Sequence, residues 1–304
     1  MKNRKYSLVF IMLLCMIMAV SAFPMTVNAD MGPKASVRIQ FEHMGDELCY
    51  GTLLSKEKST GPASAWDGRT ESAQKEYMDP GIWEIFVNYK DPDGYYFLQR
   101  SWKVSESKEL AWTYYPPGDF KILLYYPETE TFVSSGIYAR YAFDTYYTVD
   151  MDGVDIGSVE YNDDLSTNER IEAYRSYNYR QEMLALGARI VLTILIEMLV
   201  ALLFGFRQKK QLLILAVVNV ITQIILNVLL NVINYNSGPL AFTFFYVLFE
   251  LIVFALEAVL YCTILKRLSE KKKEDAYYIL YSFVANLISF GAGLFLAAKL
   301  PGMF

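Results

Sequence analysis

The sequence predicts a protein in two parts: an all-β, sandwich-like extracytoplasmic domain and a C-terminal four-helix transmembrane bundle. The first observation is a division of charge, because residues 30–182 hold 27 acidic and 15 basic residues whereas residues 183–304 hold 6 and 10. The second is a series of apolar stretches in the later part, each reaching the roughly 20 residues that cross a bilayer. Neither part has the strongly basic character of a nucleic-acid-binding domain, so we expect no nucleic-acid partner.

Residues 1–29 have the pattern of a secretory signal peptide. Three basic residues precede an apolar run, and the small residue Ala29 stands directly before Asp30. This order of basic head, apolar core and small-residue site predicts cleavage after Ala29. The alternative is that the segment is retained as a membrane anchor.

Residues 30–165 predict a β-rich domain. Val37, Ile39 and Phe41 alternate with polar residues, as they do in a half-buried strand. Further runs rich in β-branched and aromatic residues lie at 95–104, 111–115, 120–126 and 141–151. Turn-forming residues separate these runs, and many short strands with such punctuation favour a sandwich. Residues 166–185 show apolar residues at helical spacing and predict a juxtamembrane helix.

Four apolar segments predict transmembrane helices at residues 186–206, 212–233, 241–265 and 276–298. Basic residues crowd two of the connections, and the connection between the middle two segments has no charge. The positive-inside rule therefore places loops 207–211 and 266–275 in the cytoplasm. Residues 30–185 and the C-terminus are then extracellular, and the protein is a multi-pass protein of the cell membrane with the lipid bilayer as a partner.

Several short motifs resemble those of one uncharacterised family of signal-peptide-bearing membrane proteins from clostridia and related Gram-positive bacteria. They begin with Asp30-Met31-Gly32-Pro33-Lys34 and continue in the segments 93–98, 115–117, 120–123, 140–144, 189–197 and 219–227. The resemblance covers nearly the whole chain after residue 29. It implies a single cell membrane facing the medium and brings no activity, ligand or catalytic residue. Ala35 departs from the proline of the family pattern.

The predicted spans carry polar side chains that lipid cannot satisfy, so we expect these side chains to face one another. The candidate ligand or ion residues are Glu197, Glu250, Glu257, Asn219, Gln223, Asn227, Asn286 and Arg189. Counted at 1.5 Å per residue, Glu197, Glu257, Asn219 and Asn286 lie about 10–14 Å from the cytoplasmic helix ends and form one layer. Glu250, Asn227 and Arg189 form a second layer nearer the outside.

The first two predicted helices, 186–206 and 212–233, form one predicted hairpin, and the last two, 241–265 and 276–298, form a second. A short sequence repeat relates these two hairpins. The segment Val218–Thr222 reads VNVIT and the segment Ala285–Ser289 reads ANLIS. In both hairpins a helix that carries a glutamate comes first and runs in the same direction. The pattern indicates a parallel internal repeat.

Two functions fit this organisation. The leading hypothesis is an extracytoplasmic binding or sensing module on a polar-lined four-helix bundle, with other membrane subunits or a cell-envelope ligand as its partner. The alternative is a transporter or an ion- or proton-conducting subunit that uses Glu197, Glu250 and Glu257, because buried carboxyl groups in membranes are costly and mark functional sites. A third interpretation of the same residues is structural, as hydrogen-bonded contacts between helices.

The sequence argues against most cofactor chemistry. One histidine and three cysteines supply too few ligands for the common zinc or haem sites, so we expect no metal and no cofactor. No nucleophile and base stand in a recognisable catalytic pattern, and the sequence leans against an enzyme. Asp91-Pro92-Asp93-Gly94 predicts a turn rather than a calcium loop, because the remaining ligands are missing. Cys49 is expected to be a small buried residue.

Overall fold

The computed structural model describes residues 33–57, 79–157, 169–270 and 272–299. The chain is divided into two compact units. One is formed by Pro33–Tyr177, and the other contains the chain from Asn178 onward. The first is rich in β-structure and the second is helical. The predicted signal peptide, residues 1–29, lies outside the described residues.

The first unit contains two sheets. The smaller sheet has the order β11-β9-β1-β5, and the larger has the order β10-β7-β6-β2-β3, with β4 added to β2 and β8 to β6. The strands are β1 Ser36–Glu42, β2 Tyr50–Ser55, β3 Tyr96–Phe97, β4 Trp102–Lys103, β5 Glu109–Trp112, β6 Asp119–Tyr126, β7 Thr131–Ser135, β8 Tyr138–Ala139, β9 Asp144–Asp150, β10 Glu169–Ile171 and β11 Ala173–Arg175. Strands β1 and β9 pair in parallel over seven residues, and β1 and β5 pair antiparallel.

The two sheets share one apolar core. Val37, Ile39 and Phe41 of β1 are fully or almost fully buried, as their alternation predicts. They belong to the same cluster as Ile122 and Leu124 of β6, on the other sheet. The inner faces of the two sheets therefore pack on each other, as in a β-sandwich.

Strand β6 is buried on both faces. Its first residue is exposed and the next seven are buried. The second face is covered by helix α1, Pro80–Asn88, whose Trp83 and Phe86 pack with Leu123 and Tyr125. The Asp79 side chain caps this helix by accepting from the backbone N–H groups of Gly81 and Ile82 at 2.8 and 3.3 Å. A second helix, α2, consists of the four residues Val104–Ser107. The domain is therefore β-rich without being all-β.

The last residues of the first unit differ from the predicted juxtamembrane helix, residues 166–185. Residues 169–175 form the short strands β10 and β11, and helix α3 begins at Tyr179, where Asn178 caps it. Ile171, which stands at helical spacing in the sequence, is buried in the sandwich core. Tertiary packing of one apolar side chain thus overrides the local periodicity. The strand expected over 95–104 is likewise two short strands, β3 and β4, with Gln99 between them at a φ of 60°.

The second unit is built from apolar helices. They are α3 Tyr179–Leu203, α4 Lys209–Leu260 with a π-helical turn at Tyr261–Leu265, α5 Lys266–Leu268 and α6 Asp275–Lys299. Among the described residues, three continuous helical segments are long and apolar enough to cross a membrane: Tyr179–Leu203, Lys209–Leu268 and Asp275–Leu296. They support a multi-pass membrane protein. The number differs from the predicted four, because the second and third predicted spans both fall within Lys209–Leu268.

Helix α4 folds back on itself. Its backbone leaves helical geometry at Gly238, with φ 80° and ψ −179°, directly before Pro239. The Thr222 hydroxyl lies 3.1 Å from the Glu257 carboxyl group. In a straight helix these residues would be about 52 Å apart at 1.5 Å per residue. The segments before and after Gly238 are therefore two antiparallel limbs, here called α4N (Lys209–Ser237) and α4C (Pro239–Leu260).

Candidate polar site in the helical unit

The polar residues predicted from the spans all face the interior of the helical unit. Glu197, Glu257, Asn219 and Asn286 have no exposed surface, and Gln223, Asn227 and Glu250 are at most 4% exposed. Arg189 is half-buried. Apolar residues on the opposite helix faces stay exposed, as expected for surfaces that meet lipid: Leu199, Leu213, Ile221 and Phe295 are examples.

Glu257 is the best-coordinated carboxyl group in the unit. Its Oε1 accepts from Thr222 on α4N at 3.1 Å, and its Oε2 accepts from Asn286 Nδ2 on α6 at 2.7 Å. One side chain on α4C thus ties two other helical segments together. Such bonds between helices replace the water that the bilayer interior lacks.

Glu197 on α3 has a looser environment. Its Oε1 has a long contact of 3.5 Å with the Ser289 hydroxyl of α6, and its Oε2 has no hydrogen-bond partner. Asn219 lies beside this carboxyl group, but its Nδ2 also lacks a partner in hydrogen-bonding geometry. Glu197 also lies within electrostatic range of Glu257 and of Glu250. Glu197 and Glu257, which lie in the same predicted layer, are here called the carboxyl centre.

The contacts of this centre repeat in a two-fold pattern. Thr222 of the first hairpin (α3 and α4N) binds Glu257 of the second (α4C and α6), and Ser289 of the second approaches Glu197 of the first. Thr222 and Ser289 are the last residues of the repeated segments VNVIT and ANLIS. The hairpins therefore exchange equivalent hydroxyl contacts. The equivalent of the bonded pair Asn286–Glu257 is Asn219–Glu197, in which the two side chains are close but Asn219 Nδ2 and Glu197 Oε2 make no well-aligned hydrogen bond.

Two tyrosines join the site without having been singled out from the sequence. Tyr261 donates from its hydroxyl to Asn219 Oδ1 at 2.9 Å, and it begins the π-helical turn. The Tyr281 hydroxyl donates to the backbone carbonyl of Glu197 at 3.3 Å. Tyr261 follows Glu257 by four residues and so lies on the same helix face, which is the spacing that could have indicated it. A π-helical turn inside an α-helix often marks a functional position.

A second polar group lies toward the end of the unit where α3 begins. Arg189, Gln223, Asn227, Glu250 and Ser289 line a cavity of about 40 Å³. Asn227 Nδ2 donates to Gln223, at 2.8 Å to its backbone oxygen and 3.2 Å to its side-chain oxygen. Arg189 donates to Asn231 Oδ1 at 3.2 Å. Arg189 Nε, Gln223 Nε2 and Glu250 Oε2 have no hydrogen-bond partner.

The opposite end of the unit also holds a buried polar group. Gln211 Nε2 donates to the Ser269 hydroxyl at 2.9 Å, and the Tyr278 hydroxyl lies 3.1 Å from the same oxygen. This contact joins the start of α4N to the segment before α6, so the two basic connections lie at the same end of the unit. Polar side chains therefore recur along the length of the unit, from Gln211 to Arg189.

The β-rich unit uses its buried charges differently. Lys121 has no exposed surface, and its Nζ lies 2.9 Å from Asp91 Oδ1 and 2.9 Å from Asp93 Oδ2. The hydrogen bond to Lys121 and its positive charge lower the pKa of Asp93. Asp91 also accepts from the backbone N–H groups of Asp93 and Tyr95, which makes the segment a turn. A lysine occupies the place that a bound cation would take beside these carboxylates.

Cys49 is fully buried in the sandwich core, and burial raises the pKa of its thiol to about 12. The thiol therefore stays protonated at neutral pH, and Cys49 packs as a small apolar residue. Within the described part of the chain, no group of three or more His, Cys, Asp or Glu side chains is arranged to hold a metal ion.

Comparison of the chain with protein-family models, with curated proteins and with solved structures found no match.

Proposed function

We propose that the protein is a membrane protein whose helical unit binds and passes a proton or a small cation at the centre formed by Glu197 and Glu257. This is the transport-type alternative of the two functions that the sequence suggests. The single observation that favours it is the concentration of unpaired buried polar atoms in this unit. Three of these atoms belong to the layer of Glu197, Glu257, Asn219 and Asn286, here called the central layer: Glu197 Oε2, Asn219 Nδ2 and Asn286 Oδ1. Three others belong to residues that line the cavity: Glu250 Oε2, Gln223 Nε2 and Arg189 Nε.

Unpaired atoms favour a functional arrangement over a purely structural one. A buried polar group left without a partner costs about 1–3 kcal/mol, and networks that only hold helices together are normally satisfied. A carboxyl group with one free oxygen has room for a proton or a cation, and its partners can rearrange when the occupant leaves. Thr222 binds Glu257 and Ser289 approaches Glu197, so each carboxyl group meets a hydroxyl from the other hairpin. A proton or a cation can therefore move between two similar carboxyl positions.

The fold-back of α4 supports the predicted topology with four crossings. Gly238 divides Lys209–Leu268 into two antiparallel limbs, each about long enough for a bilayer core of roughly 30 Å. The basic connections 207–211 and 266–275 then face the cytoplasm, and the β-rich unit lies outside. Under this proposal the predicted signal peptide exports the β-rich unit.

The role of the β-rich unit as a binding or sensing module stays a prediction, as does membership of the clostridial family. The aromatic residues of β6 fill the core or lie under α1, so they support a structural role for that strand.

The test is flux in liposomes that contain the purified protein, with wild type compared to Glu197→Gln and Glu257→Gln. Glutamine keeps nearly the same shape and removes the exchangeable proton and the charge. We expect the wild type to pass protons or alkali cations, and both variants to lose this flux while their thermal stability in detergent stays close to wild type.

Glu257→Leu serves as the control for packing, because it removes the bonds to Thr222 and Asn286 and should lower stability under any interpretation. Wild-type protein that passes no ion would contradict the proposal. Flux that survives both glutamine substitutions would show instead that Glu197 and Glu257 only hold the helices together.

A further inference from the structure

The cavity at the α3 end of the unit has the size and the polar groups of a water site. Its volume is about 40 Å³, whereas one water needs roughly 10–15 Å³ by the same kind of measure. It therefore has room for about three water molecules. A buried water makes two to four hydrogen bonds to polar groups that otherwise lack partners.

The unpaired groups around the cavity match such waters in number and type. Arg189 Nε and Gln223 Nε2 are donors, and Glu250 Oε2 is an acceptor. Glu250 and Gln223 are 4% and 2% exposed, so bulk water does not satisfy them. One water can accept hydrogen bonds from the two donors and donate one to the carboxyl oxygen. All three atoms would then have a hydrogen-bond partner.

The cavity adjoins the carboxyl centre. Ser289 lines the cavity, and its hydroxyl makes the 3.5 Å contact with Glu197 Oε1. A chain of polar groups thus runs from Arg189 and Glu250 through Ser289 to Glu197. The titratable groups that line the cavity around Glu250 are Arg189 from α3 and Tyr246 from α4C, and the carboxyl groups of Glu197 and Glu257 also lie within electrostatic range of Glu250. Segment α4N contributes the amides Gln223 and Asn227, and α6 contributes Ser289.

From this geometry we infer that the cavity is a water-filled access route, and that the ion passed by the carboxyl centre is the proton. The inference rests on the proposed function and names its substrate. A hard metal cation needs about six oxygen ligands. The central layer offers only Glu197 Oε2 and Asn286 Oδ1 as unpaired acceptors. A proton needs one oxygen at a time and moves along hydrogen-bonded water.

Gly293 allows a sharp test of the route. A Cβ atom at Gly293 would lie 2.7 Å from the Tyr246 hydroxyl, and both residues line the cavity. Gly293→Ala therefore adds a methyl group beside the cavity and displaces the tyrosine hydroxyl. Gly291→Ala is the matched control, because a Cβ there meets nothing within 4 Å on the same helix.

The experiment measures proton flux and, separately, sodium and potassium flux in liposomes for wild type, Gly293→Ala and Gly291→Ala. We expect wild type and Gly291→Ala to pass protons alone, and Gly293→Ala to pass them about tenfold more slowly, which corresponds to ~1.4 kcal/mol in the barrier. Should Gly293→Ala unfold, Gln223→Leu replaces it, since leucine removes the donor at similar size and should slow the flux likewise.

The outcomes separate this inference from the proposed function. Flux of sodium or potassium through the wild type would overturn the assignment of the proton and leave the carboxyl centre as a cation site. Proton flux equal in Gly293→Ala and Gly291→Ala, with both proteins folded, would overturn the route and leave the centre standing. A wild type that passes no ion would remove both.

Discussion

At the scale of single residues, the two units treat buried charge in opposite ways. In the β-rich unit, Lys121 is matched by two carboxylates at 2.9 Å, so the charge is fully compensated. In the helical unit, Glu197 and Glu250 each keep an oxygen without a partner. Compensated charges are usually structural, whereas incompletely paired ones cluster at functional sites. The unpaired polar groups therefore favour a functional site in the helical unit rather than in the acidic β-rich unit.

The compensated charge gives the first stability prediction. Lys121→Met leaves Asp91 buried with one oxygen unpaired, and we expect the β-rich unit to lose about 3–5 kcal/mol of unfolding free energy. The four tryptophans of the chain, at positions 66, 83, 102 and 112, all precede residue 177. Tryptophan fluorescence during urea unfolding of the full-length protein in detergent therefore follows this unit alone.

Lys103→Met is the matched control, because Lys103 forms an exposed pair with Glu106 and should change stability by no more than about 1 kcal/mol.

The dependence of this stability on acid pH is a second measurement of the same pair. Lys121 lowers the pKa of folded Asp93, so this stabilisation is present above the ordinary aspartate pKa near 3.9 and is lost as the pH falls through the lower folded value. The difference between wild type and Lys121→Met should shrink there, and equal stabilities at pH 7 would contradict the role of the pair.

At the scale of elements, the turn at Gly238 decides how the helical unit is arranged. The φ of 80° with ψ near 180° belongs to a backbone region that is essentially reserved for glycine. Pro239 then starts α4C at a position where a missing backbone N–H costs nothing. On either side, Asn236 Nδ2 donates to the carbonyl of Val232 at 2.8 Å, and the Thr243 hydroxyl donates to that of Pro239 at 2.9 Å. Within Lys209–Leu260 the non-helical backbone is confined to Gly238, so the reversal is short.

Gly238→Ala should destabilise the helical unit by about 1–3 kcal/mol, because alanine at this φ is strained. Gly187→Ala makes the same chemical change in α3, where a Cβ meets nothing within 4 Å, and should stabilise the unit by up to about 1 kcal/mol through helix propensity. Thermal unfolding in detergent, followed by circular dichroism at a helical wavelength, measures both. Shifts of the same sign in the two variants would argue against a strained turn at Gly238.

At the scale of the whole molecule, the proposed topology makes the two ends of the helical unit accessible from opposite sides of the membrane. The turn at Gly238 lies at one end, and the basic connections lie together at the other, joined by Gln211 and Ser269. In the proposed topology, the positive charge of the connections predicts that their end faces the cytoplasm.

Cysteine labelling of intact cells tests that orientation in a background without the three native cysteines. Asn236→Cys should react with a membrane-impermeant maleimide, and Lys271→Cys should react only after the cells are opened. Labelling of Lys271→Cys in intact cells, with Asn236→Cys protected, would reverse the topology and with it the extracytoplasmic location of the β-rich unit.

The features that depend on local composition could be predicted from the amino-acid sequence alone. Alternation in Val37–Phe41 identified a strand with one buried face, and apolar length identified helices that meet lipid. The cost of placing Glu197, Glu257, Asn219 and Asn286 against lipid was enough to predict that they face the interior of the unit. These properties follow from period and hydrophobicity, which a sequence displays directly.

The partners of the polar groups became known only from the three-dimensional contacts. Residues 169–175 form strands because Ile171 fills the sandwich core. Helix α1, which covers one face of β6, was found only in the structure. Glu257 is satisfied by Thr222 and Asn286, whereas the equivalent Glu197 is not, although the two repeated segments are similar. Hydrogen bonds depend on fractions of an ångström between segments far apart in the chain, and spacing along the sequence does not encode such distances.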